Sequence, residues 1–348
     1  MRRFDLIKNQ PKLTLYARIA SASVVAMLFI LTTAVYSLLQ AKLAVIEHSL
    51  YLTPTVEQAR LLEPFPVSVD PIAQVITTDP SLEGLVQDTV APFLSERPTD
   101  RWLDRMLAQV STQSWFQTLA TPQSRVIIIL PGERKEQVTH NLGQILGWDS
   151  RQQDTFLREL TTRTPAFPEG VAAPGRYVVP SNAQPEFVAA LVNERFQRTV
   201  LNRYPADLES TLPLQDVLTL ASLLDRESFR FEEQRVIAGI IWNRLFIDMP
   251  LQIDATLQYA RTNEQGGNWW PVPRPADKFI DSPFNTYQNQ GLPPHPIANP
   301  GVASVIAALN PIATDCLFYF HDSRRGFHCS ETYEEHVRKL RIHYGQGR

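Results

Sequence analysis

A glutamate lies where a predicted helix of this chain should be apolar. Apolar residues repeat at helical spacing over 217–224, and they predict an amphipathic helix with Pro213 in its first turn. At about 100° per residue, Glu227 falls close to Leu220, whereas Asp225 is expected to face solvent. Desolvation on the apolar face and the negative potential of the helix C-terminus both raise the pKa of a carboxyl group. Glu227 is therefore a candidate general acid, unless it reaches water in the last turn of the helix.

The next predicted helix carries polar side chains in a similarly unusual position. Its apolar stripe runs over 236–245, and Asn243 and Arg244 fall within that stripe. Amide and guanidinium groups buried in this way need hydrogen-bond partners. Either they line a cleft, where they hold a polar substrate or position Glu227, or they form a buried network that joins the helix to a loop.

Two neighbouring tryptophans follow in a stretch rich in proline. Trp269 and Trp270 could stack on the apolar face of a sugar ring, since an indole offers a flat apolar surface. The alternative is that they pack under the proline-rich loop 271–275. The sequence leaves both interpretations open.

The chain lacks the signatures of several catalytic classes. It has no nucleotide-binding glycine loop and no H-E-x-x-H, G-x-S-x-G or S-x-x-K motif. The formal net charge is −3, which does not favour a nucleic-acid partner. A buried acid without a nucleophile or a metal motif leaves glycosidic cleavage as a good candidate, with no cofactor.

The N-terminus predicts a membrane anchor. Residues 19–39 form a run of 21 residues without a charge, preceded by five basic residues and one acidic residue. A helix of this length spans about 32 Å, which is enough to cross a bilayer core. By the positive-inside rule, residues 1–18 stay in the cytoplasm and the remaining chain lies outside. A cleaved signal peptide is the alternative, although its apolar region is usually shorter.

The remaining pattern predicts an α+β fold. We expect a cytoplasmic tail at 1–18, a transmembrane helix at 19–40 and a membrane-proximal region at 41–123 with helices near 82–95 and 99–119. A small α+β unit with a connecting helix follows at 124–203. The catalytic domain is expected at 204–348, and it ends with a hairpin over 317–329 and a last helix that begins near Thr332. A disulfide between Cys316 and Cys329 and two free thiols are both open possibilities.

Several segments of 205–340 resemble the YceG-like family of endolytic murein transglycosylases in order and spacing. The shared segments read ASLLDRES at 221–228, NRL at 243–245, LQxD at 251–254, NTY at 285–287, GLPPxPI at 291–297, NPG at 299–301 and TYxEH at 332–336. The family's earlier glutamate in the first segment is Asp225 here. The family's G-H-x-F pattern reads Gly326-Phe-His-Cys329 in this chain.

The resemblance implies a specific activity and location. Glu227 would be the single catalytic acid and base of a lytic transglycosylase, which cleaves the bond between N-acetylmuramic acid and N-acetylglucosamine and leaves a 1,6-anhydro end. It further implies a LysM-like unit near 125–180, an inner-membrane protein with its catalytic domain outside the cytoplasm, peptidoglycan strands as partner and a link with cell-wall synthases. The candidate substrate-binding residues are Asn243, Gln252, Asp254, Asn285 and Tyr287.

Two other functions remain open at this point. The first is a hydrolytic muramidase, in which a second carboxylate such as Asp254 activates water. The second is a membrane-anchored, peptidoglycan-binding scaffold that catalyses nothing. The product of the reaction separates the first from a transglycosylase, and the effect of Glu227→Gln separates the second.

Overall fold

The structure is a computed structural model that describes residues 63–94, 124–164, 166–262 and 268–345, with four isolated positions near the N-terminus. The predicted transmembrane helix at 19–40 lies outside the described residues except for those four positions, and the predicted helix at 99–119 lies wholly outside them. Within the described ranges, no helix is both long enough and apolar enough to cross a membrane. The contacts divide the chain into residues 1–55 and 56–348, and the description below concerns the second unit.

The described elements confirm the expected α+β class. The strands pair in sequence order into three antiparallel two-stranded sheets. The strands are β1 (Val69–Asp70), β2 (Val75–Ile76), β3 (Ser124–Ile129), β4 (Gly175–Pro180), β5 (Phe318–His321) and β6 (Phe327–Ser330). The α-helices are α1 (Pro80–Leu94), α2 (Lys135–Leu146), α3 (Ser150–Arg163), α4 (Pro185–Thr199), α5 (Leu214–Glu227), α6 (Phe231–Phe246), α7 (Asp254–Arg261), α8 (Val302–Leu309) and α9 (Tyr333–Tyr344).

The smaller unit has the order β3–α2–α3–β4. The β-branched run of β3 pairs along its whole length with β4, from Ser124 opposite Pro180 to Ile129 opposite Gly175. A capping box at Asp149 begins α3, because its side chain accepts from the backbone N–H of Gln152. Apolar side chains of both helices and of α4 pack against the sheet and form a separate small core.

The larger core surrounds α5, which is buried on most of its surface. Ten residues of this helix are buried, from Leu214 to Asp225, because α6 and α8 pack against it. All residues of α8 except Val302 are buried, and all except Ser304 are apolar, as expected for a helix that is surrounded by protein. Residues 65–90 contribute Phe65, Val69 and Val86 to this core, so this part of the predicted membrane-proximal region packs with the large domain.

A hairpin and the last helix complete the described chain. Strand β5 pairs with β6, and Tyr319 lies opposite Cys329. The sulfurs of Cys316 and Cys329 form a disulfide with their Cα atoms 5.8 Å apart, so the two free thiols that the sequence allowed are not present. Helix α9 begins after Thr332, whose side chain accepts from the backbone N–H of Glu335, and it packs against the hairpin.

Candidate active site

Glu227 is the last residue of α5, and its side chain turns towards the hairpin. The helix ends at Ser228, which has an extended backbone. The Glu227 side chain is half-buried, and its Oε2 accepts a hydrogen bond of 3.0 Å from the hydroxyl of Tyr319 on β5. The side chain therefore does not escape freely to water, which was the alternative that the sequence left open.

The surroundings of Glu227 favour its protonated form. Burial raises the pKa of its carboxyl group, and the negative charge of Asp254 raises it further. The hydrogen bond from Tyr319 and the charges of His321 and Arg226 oppose this shift without cancelling it. This direction of the pKa shift agrees with the one expected from the sequence, and a protonated carboxylic acid is what a general acid requires.

A second carboxylate and a second phenol belong to the same environment. Asp254 is the first residue of α7 and is exposed, and its Oδ1 accepts a hydrogen bond of 2.7 Å from the hydroxyl of Tyr287. Burial raises the pKa of Tyr287, and the charges of Asp254 and Glu227 act in the same direction. The structure therefore brings two of the predicted substrate-binding residues, Asp254 and Tyr287, into electrostatic contact with Glu227.

The expectation that Asp225 faces solvent is wrong. Its side chain is buried, and its Oδ2 accepts from the backbone N–H of Gly301 at 2.8 Å. Its Oδ1 accepts from Gln234 at 3.1 Å and from the hydroxyl of Ser304 at 2.5 Å. Asp225 thus joins α5 to α6 and to the start of α8, on a side of α5 that helical geometry alone assigned to water.

Asn243 and Arg244 form the buried network that was one of the two expected outcomes. Asn243 donates to the carbonyl groups of Thr314 at 2.6 Å and Cys316 at 3.2 Å. Arg244 donates to the carbonyl of Leu317 at 2.6 Å and also to that of Leu251. These bonds connect α6 to the segment that leads into β5, which carries Tyr319, and to the segment that leads into α7, which begins with Asp254.

The side chain of Asn285 also forms its hydrogen bonds with backbone groups. It is fully buried, and its Nδ2 donates to the carbonyl groups of Lys278 at 3.1 Å and Ile280 at 2.8 Å. Its Oδ1 accepts from the backbone N–H of Tyr287 at 3.0 Å. Asn285 therefore fixes the loop that presents Tyr287.

Gln252 occupies a strained turn next to α7. Its backbone has a positive φ of 52°, a region that few residues other than glycine adopt. The backbone N–H donates to the carbonyl of Thr286 at 3.0 Å, and the side chain is exposed. The turn holds Gln252 on the surface two residues before Asp254.

Two arginine side chains lie over the ring of Trp270. The guanidinium carbon of Arg226 lies 3.8 Å from the ring centroid, and that of Arg134 lies 4.4 Å from it. The indole N–H donates to Gln137 at 3.2 Å. Trp270 therefore connects the residue next to Glu227 with the smaller unit.

Sequence reasoning did not name Tyr319 or His321 as site residues. Both lie on one face of β5, because side chains alternate along a strand, and the ring nitrogen Nε2 of His321 lies 2.5 Å from Oε1 of Glu233. The alternation Phe-Tyr-Phe-His at 318–321 was the available signal. It could not reveal which face meets α5.

A half-buried carboxyl group that accepts a hydrogen bond from a phenol and feels the charge of a second carboxylate, in an α+β fold, defines a candidate acid–base site. The chain belongs to the YceG-like family, whose family model matches residues 105–342.

Curated relatives carry one name. The endolytic murein transglycosylase of Bacillus subtilis (strain 168) is 31% identical over 187 residues, which are 53% of this chain and 50% of that protein. The protein of the same name from Streptococcus pneumoniae serotype 2 (strain D39) is 26% identical over 252 residues, which are 64% of this chain and 46% of that protein. The chain thus spans about half the length of these relatives.

The fold is similar to that of a solved structure. The crystal structure of a YceG-like protein from Listeria monocytogenes matches with a TM-score of 0.53 and 24% sequence identity. The match covers 62% of this chain and 75% of that chain. At 24% identity, this similarity shows a shared fold and nothing more.

Proposed function

We propose that this protein is a lytic transglycosylase that cleaves the β-1,4 bond between N-acetylmuramic acid and N-acetylglucosamine within peptidoglycan strands. The observation that carries the proposal is the carboxyl group of Glu227 at the end of α5, whose pKa is raised by burial and whose Oε2 accepts from Tyr319. The names of the curated relatives support the same activity.

In the first step, Glu227 acts as a general acid. Because Tyr319 donates to Oε2, the acidic proton is assigned to Oε1 in this mechanism. The proton moves to the glycosidic oxygen while the bond from that oxygen to C1 of the muramic sugar breaks. The N-acetylglucosamine end of the next segment leaves as an alcohol, and Glu227 becomes a carboxylate.

In the second step, the same group acts as a base. The Glu227 carboxylate takes the proton from the C6 hydroxyl of the muramic sugar, and that oxygen forms a bond to C1. The product carries a 1,6-anhydro ring, no water is consumed, and Glu227 regains its proton. One carboxyl group serves both steps because they occur in sequence. Tyr319 stabilises the carboxylate between the two steps, since its hydroxyl donates to it.

The other predicted site residues have two kinds of role in this proposal. Asp254, Tyr287 and the exposed Gln252 are available to contact the sugar. Asn243 and Asn285 contribute indirectly, because their hydrogen bonds go to backbone carbonyl groups that hold β5 and the Tyr287 loop in place.

The proposed location follows from the N-terminal sequence. Residues 19–40 would form a single transmembrane helix with the N-terminus in the cytoplasm, and the catalytic domain would act outside the inner membrane on newly made strands. The unit at 124–180 would bind glycan as a LysM-like module, which its β–α–α–β order supports. Cell-wall synthases are the proposed protein partners.

A hydrolytic muramidase is the second candidate, and the position of Asp254 favours it. A second carboxylate that interacts with Glu227 could activate water instead of leaving the C6 hydroxyl to attack. The hydrolase would release reducing ends, which are heavier by one water than anhydro ends.

The test is mass spectrometry of glycan fragments. Purified peptidoglycan is treated with the full-length protein in detergent, with its Glu227→Gln variant and with Glu186→Gln, a control that removes an exposed glutamate of α4. We expect internal fragments with anhydro ends from the wild type and from Glu186→Gln, and none from Glu227→Gln. Reducing ends would replace the proposal by the hydrolase. Equal cleavage by Glu227→Gln would exclude Glu227 as the acid, and retention on glycan without cleavage by any variant would favour a scaffold.

A further inference from the structure

Two histidines and an aspartate meet where the hairpin contacts α9. The Nε2 atom of His328 lies 3.0 Å from Oδ2 of Asp322, and the Nδ1 atom of His343 lies 3.5 Å from the same oxygen. The imidazole rings of His328 and His343 are 4.1 Å apart between centroids. One ligand atom from each residue fits within 4.8 Å of the others. Three potential metal ligands from three separate segments thus converge on one point.

We propose that Asp322, His328 and His343 form a binding site for a divalent metal ion, with Zn²⁺ as the preferred ion. Imidazole nitrogen and carboxylate oxygen are ligands that Zn²⁺ accepts. With Zn–N and Zn–O bonds of about 2.0–2.2 Å, two ligands of a tetrahedral site lie about 3.3–3.6 Å apart. The two distances from Oδ2 of Asp322, 3.0 and 3.5 Å, are close to that value. Small side-chain rotations would complete the site, and Zn²⁺ would replace the hydrogen bond between His328 and Asp322, with the proton of that bond released to water.

Asp322 is held in place for this role by the turn between β5 and β6. Its Oδ1 accepts from the backbone N–H groups of Arg324 and Gly326, each at 2.8 Å. Oδ1 is therefore occupied, while Oδ2 points to the two histidines. Outer hydrogen bonds of this kind orient a carboxylate ligand and increase metal affinity.

The imidazole of His328 is positioned by the core of the hairpin. It stacks on Phe320, its partner across the two strands, with centroids 5.0 Å apart. Phe320 also contacts the ring of His343 at 5.7 Å. His343 is exposed near the end of α9, so a metal ion bound here keeps a position open to water.

The proposed metal site is separate from Glu227. Phe320 and His328 lie on the face of the hairpin that packs against α9, whereas Tyr319 lies on the opposite face. The metal ion would join residues 322 and 343 and so fix α9 to the hairpin. Both cysteines are joined in a disulfide, so no thiol in the chain competes for Zn²⁺.

The experiment measures metal binding by the untagged full-length protein, stripped with a chelator and passed into metal-free buffer in detergent. Co²⁺ serves as a spectroscopic probe, because tetrahedral coordination gives visible absorption, and Zn²⁺ is then titrated in competition. The test variant is His343→Ala, which removes an exposed side chain and therefore has little effect on folding. The matched control is His140→Ala, which removes a histidine from the surface of α2.

We expect one Zn²⁺ per chain for the wild type and for His140→Ala. Loss of an outer hydrogen-bond partner costs about 10–100-fold in metal affinity, so the loss of a ligand should cost His343→Ala at least about 100-fold. Zn²⁺ should raise the Tm of the wild type and not that of His343→Ala.

Three results would overturn the proposal. They are the absence of binding by the wild type at about 0.1 mM Zn²⁺, equal affinity of His343→Ala and the wild type, and loss of binding in His140→Ala. Asp322→Asn provides a second variant, because its amide oxygen can still accept the turn hydrogen bonds while the charged ligand is lost. None of these outcomes depends on glycan cleavage, so the metal site and the proposed function can fail separately.

Discussion

The hydroxyl of Tyr319 donates a hydrogen bond of 3.0 Å to Oε2 of Glu227, a residue 92 positions earlier in the chain. Burial raises the pKa of Glu227, and this hydrogen bond opposes that shift because it stabilises the carboxylate. The same bond determines where the two carboxyl oxygens point. A strand of the C-terminal hairpin therefore moderates the pKa of the candidate catalytic group at the end of α5 and helps to orient it.

The first prediction concerns Tyr319→Phe. The ring is retained and still packs beside Phe327, at 6.0 Å between centroids, but the donor is lost. The pKa of Glu227 should rise further, so activity should be lost at a higher pH than in the wild type. A hydrogen bond to a charged group contributes about 1.5–3 kcal/mol, so kcat should fall about 10–100-fold. A pH–rate profile of glycan cleavage measures both effects.

Tyr177→Phe is the control for this variant. Its hydroxyl donates to the carbonyl of Ala173 at 2.5 Å within the smaller unit, so it loses a similar bond away from Glu227. Its profile should match that of the wild type. A profile of Tyr319→Phe that moves to lower pH would contradict the assignment of Tyr319 as a stabiliser of the carboxylate.

The helices could be predicted from the sequence where their apolar pattern was strong. The sequence predicted a small α+β unit with a connecting helix at 124–203, and the structure has the helices Ser150–Arg163 and Pro185–Thr199 in this range. Local signals explain this agreement, since the Asp149 cap begins α3 and the apolar stripe faces one core. The packing of residues 65–90 against the large core could not be predicted in this way, because it depends on partners far along the chain. For example, Asn310 donates to the carbonyl of Pro66.

The candidate site could be predicted only in part from the sequence, and Asp225 shows why. Helical spacing placed Asp225 away from the Leu220 side of the helix, but it cannot tell how much of the helix surface other elements cover. Segment 299–304 covers the side that was assigned to solvent, through Gly301 and Ser304. Likewise, the pattern identified Asn243 as a polar residue within an apolar stripe. It could not distinguish a backbone partner from a substrate.

The second prediction concerns the stability of Glu227→Gln. The folded state raises the pKa of Glu227 above its ordinary value of 4.5, so the native protein binds a proton that the unfolded chain releases. This cost is absent below about pH 4, where both states are protonated, and it grows as pH rises above 4.5. Glutamine avoids the cost, so the variant should be about 0.5–2 kcal/mol more stable than the wild type at about pH 7.5.

Thermal unfolding at about pH 4 and about pH 7.5 measures this effect. The gain in Tm should be present at the higher pH and disappear at the lower one. Glu186→Gln, on an exposed part of α4, should show no such pH-dependent gain. Equal Tm values for Glu227→Gln and the wild type at both pH values would mean that burial of Glu227 has no cost.

The third prediction concerns Glu83, which ties α1 to α6. Both oxygens of Glu83 accept from the buried guanidinium of Arg235, at 2.7 and 2.6 Å, and this hydrogen bonding lowers the pKa of Glu83 to about 2. Because Glu83 is itself 47% exposed, we expect Glu83→Gln to lose only about 1–2 kcal/mol at about pH 7. Urea unfolding measures the loss.

The stability that Glu83 contributes should depend on pH in a definite direction. A lowered pKa in the folded state stabilises the protein above the ordinary value of 4.5, and the contribution disappears as pH falls towards about 2. The difference between wild type and Glu83→Gln should therefore shrink over that interval. Glu232→Gln is the control, because Glu232 is more exposed and lies 3.3 Å from Arg235. A larger loss for Glu232→Gln than for Glu83→Gln would be inconsistent with the prediction.

The last prediction concerns Asp254→Asn, which affects the same acid in the opposite direction from Tyr319→Phe. The negative charge of Asp254 raises the pKa of Glu227, so its removal should lower that pKa, and activity should be lost at a lower pH than in the wild type. Asparagine still offers an oxygen to the hydroxyl of Tyr287, which limits structural change. Asp281→Asn, which removes an exposed aspartate, should leave the pH–rate profile unchanged. If Asp254 only tunes Glu227, the variant continues to make anhydro ends; if Asp254 activates water, cleavage falls by about 10²–10⁴-fold at every pH, as expected when a general base is lost.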